Sequence, residues 1–276
     1  MRIKPLSEHI GAEIEGVVLS HCTDSDFERI YEAFLRYHVI FFRDQALSPD
    51  QHLVLASRFG EIEPIHPFFP HLDDAPQVVV IETSPGNPPG ESFWHTDLSW
   101  QAIPSKCSLL HAQHVPSRGG DTIWVSMSAV WESLPDSLKT TLRGKEGIHA
   151  LHAFAGSKYD QVDELGQSRV NKMASRFPPV RHPLVATHPE TGRETLYINE
   201  QFTRGIVGMT VQESEVILSE LFSISRKTTY QYRFSWQPGS VAIWDNRCTQ
   251  HYAVTDYGDA PRRLHRVSVA GGAFKQ

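Results

Sequence analysis

No window of the sequence reaches the ~18 apolar residues needed to cross a bilayer, and the N-terminal MRIKPLSEHIGAEIEG holds no apolar core of signal-peptide length. A cytoplasmic location without a membrane partner is therefore expected. Basic charge is in deficit too: 26 Lys and Arg stand against 32 Asp and Glu, a formal net charge of −6. Lys and Arg nowhere cluster among aromatics, so the chain offers no phosphate-tracking surface and nucleic acid is not an expected partner. Cysteine is sparse. Cys22, Cys107 and Cys248 share no metal-site spacing and leave one over after any pairing, which suits a reducing compartment and three free thiols. Repeats and low-complexity tracts are missing as well. What is present, 276 residues with 40% hydrophobic content, suffices for one globular core, and a single domain over 1–276 is expected.

Helix signals are few. Phe27, Ile30, Tyr31, Phe34 and Leu35 recur at the spacing of one helical face and predict an amphipathic helix over 24–38, capped by Thr23 or Asp24. VIFFRD (39–44) follows as a buried strand. Ser48-Pro49 opens a second helix that Gly60 closes, and two more are expected at about 128–142 and at 211–224, the last behind a Thr210-x-x-Glu213 capping box. Short β-rich runs fill the rest: 77–82, the segment around His95, 107–115, 121–125, 184–188, 195–199, 229–234, 240–245 and 264–270. Separated by Gly, Pro and Asp turns, they predict a mainly β fold with peripheral helices, a double-stranded β-helix of the jelly-roll kind. The segment 153–181 is polar and aperiodic, with Gly156, Gly166 and Pro178-Pro179, and reads as a long loop or lid.

Within ESFWHTDLSW (91–100), His95 and Asp97 stand two apart. On a strand such residues share a face, so both would project into whatever the sheet encloses. His251, just after the predicted strand 240–245, is a candidate third ligand. Two histidines and one carboxylate on one face of an octahedron leave positions open, the arrangement of non-haem Fe(II) oxygenases. Plainer readings stand beside this one. A lone histidine is more often a hydrogen-bonded core or surface residue, and Cys248-x-x-His251 offers a thiol nucleophile with its base, though no oxyanion-hole glycine cluster accompanies it. In DAPRRLHRVSV (259–269), strand parity puts Arg262, Leu264, Arg266 and Ser268 on one face and Arg263, His265, Val267 and Val269 on the other. Two inward guanidinium groups call either for small anionic ligands or for internal salt bridges.

WHTD (94–97), GGDT (119–122), HP (182–183) with THP (187–189), NE (199–200), and WDNRCTQHYAVTDY (244–257) with PRRLHR (261–266) resemble the Fe(II)/2-oxoglutarate dioxygenases of the taurine dioxygenase (TauD/TfdA) family. The likeness runs in order, with matching spacings, from GAEIEGV (11–17) to the last strand. It implies that His95, Asp97 and His251 are the catalytic iron ligands. It also implies that Arg262 and Thr122 bind the distal carboxylate of 2-oxoglutarate, whose other end chelates iron, with O₂ as second cosubstrate. His66 and Arg266 match positions that hold a sulfonate, and Phe154 and Phe202 match apolar walls. Two positions depart from the family's taurine dioxygenases: Phe69 replaces a tyrosine and Glu91 an asparagine. A carboxylate at Glu91 would receive an ammonium group and repel a second anion.

The resemblance implies hydroxylation of a small anionic organic substrate, expected to be a sulfonate such as taurine, with release of sulfite and an aldehyde. Alkyl sulfates, phenoxyalkanoates and other carboxylates are rival substrates for the same chemistry. A jelly-roll metal-binding or sensor module without turnover is the rival outside the enzyme class, and Arg262 and Thr122 argue against it, since a passive metal site needs no keto-acid anchor. A homo-oligomer, dimer or tetramer, is the expected assembly.

Overall fold

In the computed structural model, which describes residues 1–90 and 92–274, the β-rich runs build a seven-stranded sheet. Its order is Arg2–Pro5, Ala12–Glu15, Val39–Phe42, Val241–Asp245, Ser105–His114, Arg262–Ala270, Val79–Thr83. A three-stranded sheet packs across it, with Thr122–Ser126 between Gln231–Phe234 and Thr249–Ala253. Alternation decides what lies between them. Phe41, Leu110, Ala242, Trp244 and Leu264 turn inward to meet Trp124 and Phe234 from the smaller sheet and Trp236 just beyond its edge strand. Phe41 stacks on Phe234 with ring centroids 4.1 Å apart. The large sheet's other residues, Ile40, Phe42, Leu109, Ile243 and Val267, point outward against the helices Asp24–Tyr37 and Pro49–Ser57. Both faces are covered, so VIFF and the first four residues of VAIWD are apolar without a break. This is the jelly-roll core with outer helices that the sequence led one to expect.

The helices start where their caps say. Thr23 accepts from the Asp26 amide, and Ser48 and Thr210 each close a capping box, with Gln51 and Glu213. Asp24–Tyr37 ends at His38, whose backbone turns left-handed at φ 66°. The predicted helix at 128–142 is two: Met127–Ser133 and Asp136–Leu142. Pro135 splits them, because its ring disfavours helical backbone at Leu134, where ψ is 146°. Strands at Arg2–Pro5, Ala12–Glu15, Glu146–His149, Val180–Pro183 and Thr203–Ile206 carried no sequence signal, being short and partly polar. The segment 153–181 contains the helix Arg169–Ala174 and runs into the strand Val180–Pro183. Its order comes from a side cluster in which Phe154, Val170, Met173 and Phe177 pack with Phe68, Leu98, Trp100 and Phe202. Among the described residues the three cysteines are free, and no helix is long and apolar enough to cross a membrane.

Several histidines are built into this packing as neutral groups. Burial pushes His38 down to about 4, and His52 and His149 to about 3. Unfolding lets each take up a proton near pH 6.5, so the unfolded state binds more protons and stability falls as pH drops from 6.5 toward 4. The cost is roughly 2 kcal/mol per histidine by pH 5. Because His52 Nε2 has no hydrogen-bond partner, His52→Leu is expected to remove about one such share of the acid loss. Urea unfolding at pH 7.5 and 5.0 measures it; an unchanged difference between the two pH values would clear His52 of this role.

Candidate active site

His95 and His251 meet as an isolated antiparallel bridge. The His95 amide donates to the His251 carbonyl at 3.0 Å, the His251 amide returns the bond at 2.8 Å, and the ring centroids stand 4.1 Å apart. His251 lies inside its own strand, Thr249–Ala253, rather than after the strand at Val241–Asp245. Asp97 is on no strand. It sits where the chain leaves the bridge into a turn, and Leu98 takes a left-handed φ of 57°. Such a backbone costs a non-glycine residue roughly 1–2 kcal/mol, offset here by burying the Leu98 side chain. The expectation that strand parity unites His95 and Asp97 is thus corrected: a two-residue bridge and a strained turn do it.

The donor set fits a first-row divalent metal. Asp97 Oδ1 lies 3.7 Å from His95 Nε2 and 3.9 Å from His251 Nε2, and all three donors fall within 4.8 Å of one another. Two metal–ligand bonds of ~2.1 Å span up to ~4.2 Å, so both pairs are within reach of one ion. His95 Nδ1 donates to the Phe93 carbonyl at 2.8 Å, which leaves the Nε2 lone pair facing Asp97. Burial lowers both imidazoles, keeping them neutral as metal ligation requires.

Asp97 is buried, which by itself would raise its carboxyl. The Arg266 guanidinium and a hydrogen bond from Ser108 outweigh that and hold it well below the usual range. The two oxygens have separate tasks. Oδ1 faces the imidazoles and accepts from Arg266 Nη1 at 2.8 Å, while Oδ2 accepts from Ser108 Oγ at 2.7 Å. Behind Ser108, Asn246 Nδ2 donates to its oxygen at 3.0 Å, and Trp244 Nε1 donates to Asn246 Oδ1 at 2.8 Å. This chain was not foreseen. Its one signal is a serine on the inward face of an apolar strand together with the asparagine of WDN.

The two inward arginines divide between the two readings open to them. Arg266 has an internal partner, Asp97, with Nε left unpaired. Arg262, 5% exposed, has no carboxylate within ion-pair distance among the described residues; it lies near Tyr257, and its Nε is also unpaired. Gly120 lets it pack there, since a Cβ would stand 3.2 Å from Arg262 Nε, and Gly119 has no room beside Asp256; both have positive φ, 72° and 73°. Thr122 faces the interior on the strand beside His251, and its Oγ1 accepts from Trp236 Nε1 at 2.9 Å.

The residues expected to hold a substrate gather at the other side of Asp97. His66 Nδ1 accepts from the amides of Phe68 and Phe69, both at 3.2 Å, so its ring proton belongs on Nε2. Phe69 packs against His66 with centroids 4.6 Å apart, the Arg266 guanidinium lies 5.2 Å from the Phe69 ring, and Phe154 reaches Phe202 at 5.7 Å. Tyr159, also unforeseen, packs on Phe69 at 4.4 Å. Burial pushes its hydroxyl up to about 12 against the pull of Arg266. Glu91 lies outside the described residues.

Two other clusters carry no such chemistry. Burial raises the Cys248 thiol well above its ordinary value, which removes it as a nucleophile for His251. His188, Asp245 and Cys248 lie close enough for a metal, but the Asp245 carboxylate is already spent. It accepts from His188 at 2.9 Å and from Arg247 at 2.8 and 2.7 Å.

A profile of the taurine catabolism dioxygenase TauD, TfdA family matches residues 2–268. An alkylsulfatase of Acinetobacter baylyi is 34% identical over 98% of this chain and 85% of its own. An alpha-ketoglutarate-dependent sulfate ester dioxygenase of Pseudomonas putida is 34% identical over 98% of this chain and 89% of its own. Among solved structures, a taurine dioxygenase from Burkholderia xenovorans is 35% identical, with a TM-score of 0.84 over 99% of this chain and 90% of its own.

If the bridge and the turn hold the metal, His251→Ala and Asp97→Ala should each abolish Fe(II) binding, while His265→Ala, on the opposite strand face, should not. Ser108→Ala should weaken Fe(II) by ~10–100-fold, the usual cost of losing a partner that orients a ligand. Anaerobic calorimetric titration reads all four, and unaltered affinity in Ser108→Ala would show that Asp97 needs no such support.

Proposed function

We propose, from the premise that the chain belongs to the TauD/TfdA family of Fe(II)/2-oxoglutarate dioxygenases, that it hydroxylates the sulfur-bearing carbon of a small organic sulfonate such as taurine. The observation that carries the substrate reading is the placement of Arg266 between the metal-site carboxylate and an aromatic chamber, with a guanidinium edge still unpaired. Bound Fe(II) couples decarboxylation of 2-oxoglutarate by O₂ to oxidation of a C–H bond; the protein's part is binding, orientation and exclusion of water.

His95, Asp97 and His251 would hold the iron. Arg262, desolvated and without a carboxylate of its own, would anchor the distal carboxylate of 2-oxoglutarate, with the Thr122 hydroxyl beside it. At the substrate end, Arg266 and the Nε2–H of His66 would bind the sulfonate oxygens, while Phe69, Phe154 and Phe202 wall the chamber. The segment 153–181, which brings Phe154 and Tyr159, would act as the lid. A hydroxyl placed on the sulfur-bearing carbon makes an unstable product. Its O–H proton leaves, a C=O bond forms, and the C–S bond breaks with its electron pair going to sulfur, giving an aldehyde and sulfite. On a sulfate ester the same hydroxylation breaks a C–O bond and releases sulfate, which is the reading the names of two relatives favour. We place the enzyme in the cytoplasm as a homo-oligomer.

Two measurements test this. Succinate and sulfite formation over a panel of sulfonates, alkyl sulfates and phenoxyalkanoates should show turnover of a sulfonate, and Phe69→Tyr should raise the share of taurine; a panel in which phenoxy acids or alkyl sulfates far exceed every sulfonate would overturn the assignment. Arg262→Gln should raise the 2-oxoglutarate requirement by roughly 10-fold or more, the loss of a charge-assisted contact. No change there would mean that another residue is the anchor.

A further inference from the structure

Behind the His66 ring lies a cavity of about 400 Å³ with apolar walls from Val79, Leu98, Trp100, Ile103 and Phe177. That volume lies within the range of sites that take whole small-molecule ligands. The sheet register fixes what it adjoins. Val79 is the cross-strand partner of Arg266, so the two side chains share a face. Ser268, two residues beyond Arg266 on the same strand face, also lines the cavity, as do His66 and Leu98, the residue after Asp97. The cavity therefore abuts the anion-binding end of the active site.

Among the described residues its one acidic group is Glu63, and its one arginine, Arg176, is exposed at the rim and forms no ion pair with it. The side chain is 9% exposed, and only its backbone is engaged, the amide donating to the Ser268 carbonyl at 2.9 Å. Among the described residues no hydrogen bond or cation meets the carboxyl, and burial with the nearby Glu61 pushes it up to about 7. The carboxyl faces the cavity and not a protein partner, so a cation entering there would meet it without displacing one.

We propose that this cavity is the tail subsite of the substrate pocket, taking an alkyl chain that ends in an ammonium group, with Glu63 as the counter-ion. The inference rests on the anionic-substrate reading above. The Glu63 amide is tied to Ser268, which lies ~7 Å along the strand from Arg266 at ~3.4 Å per residue. A sulfonate at Arg266 and an ammonium at Glu63 are therefore held farther apart than taurine allows, and the preferred substrate is an aminoalkanesulfonate with a longer chain. The terminal charge is drawn to Glu63 while the methylenes cover Val79, Leu98 and Trp100.

The test is anaerobic calorimetry on the enzyme loaded with Fe(II) and 2-oxoglutarate, comparing aminohexanesulfonate with hexanesulfonate, which differ only at the far end. The wild type should bind the amine at least tenfold tighter; Glu63→Gln should bring the ratio near one, and Glu63→Leu should invert it. A wild-type ratio near one, which needs no variant to fold, overturns the subsite, and so does a preference that survives Glu63→Gln. If hexanesulfonate binds and is turned over without any preference for the amine, the subsite falls alone. If neither sulfonate binds while Fe(II) and 2-oxoglutarate load normally, the sulfonate reading falls and the subsite with it.

Discussion

The ion pair between Asp97 and Arg266 joins the candidate metal site to the aromatic chamber beside His66, and the polar groups of this interior are arranged around it. A carboxylate as buried as Asp97 is stable only if its charge is answered. Arg266 answers it at one oxygen and Ser108 at the other, while the two neutral imidazoles stand by as fellow donors to a metal. Each partner comes from a different stretch of chain, so the site forms only when the sandwich does. The same guanidinium leans on Phe69 beside His66. On the proposed function, metal ligation and substrate recognition would share this one group, and changes at either side are expected to be felt at the other.

Support for this pair reaches back into the core. Trp244 and Asn246 extend one inward-facing strand end, and their side chains carry the hydrogen-bond chain to Ser108. Next to them, Asp245 turns away to bind Arg247 and His188. Alternation along a single strand end thus separates a buried structural ion cluster from the group that orients a metal ligand. The histidines follow a similar division: those at the metal site have neighbours to coordinate with, whereas His52 is neutral packing whose cost appears only in acid.

Local features were readable from the residues because their causes are local. The caps at Thr23, Ser48 and Thr210, the amphipathic helix at 24–37 and the inward parity of Arg262 and Arg266 all follow from spacing over a few residues. The motifs WHTD, GGDT and PRRLHR pointed to the dioxygenase family for a related reason: each is a short run that sends one or more of its residues to the site. The break at Pro135 was equally local and was missed because the apolar pattern runs through it.

Other features depended on residues far apart in the chain. That His95 pairs with His251 in a bridge, and that Asp97 leaves it through a left-handed Leu98, is decided by the sandwich and not by the period of a strand. Whether an inward arginine meets a protein carboxylate or a ligand could not be settled by parity, since Arg266 and Asp97 are 169 residues apart. By itself the sequence determined the fold class through its patterning, and the dioxygenase chemistry and candidate ligands through the resemblance of its motifs to a known family, because short motifs and local periods need no distant contact to be recognised. Only the tertiary structure decided which charges are already paired, which carboxyl is left without a protein partner and that a cavity lies beside His66, because burial and pairing are properties of contacts made when distant segments close on one another.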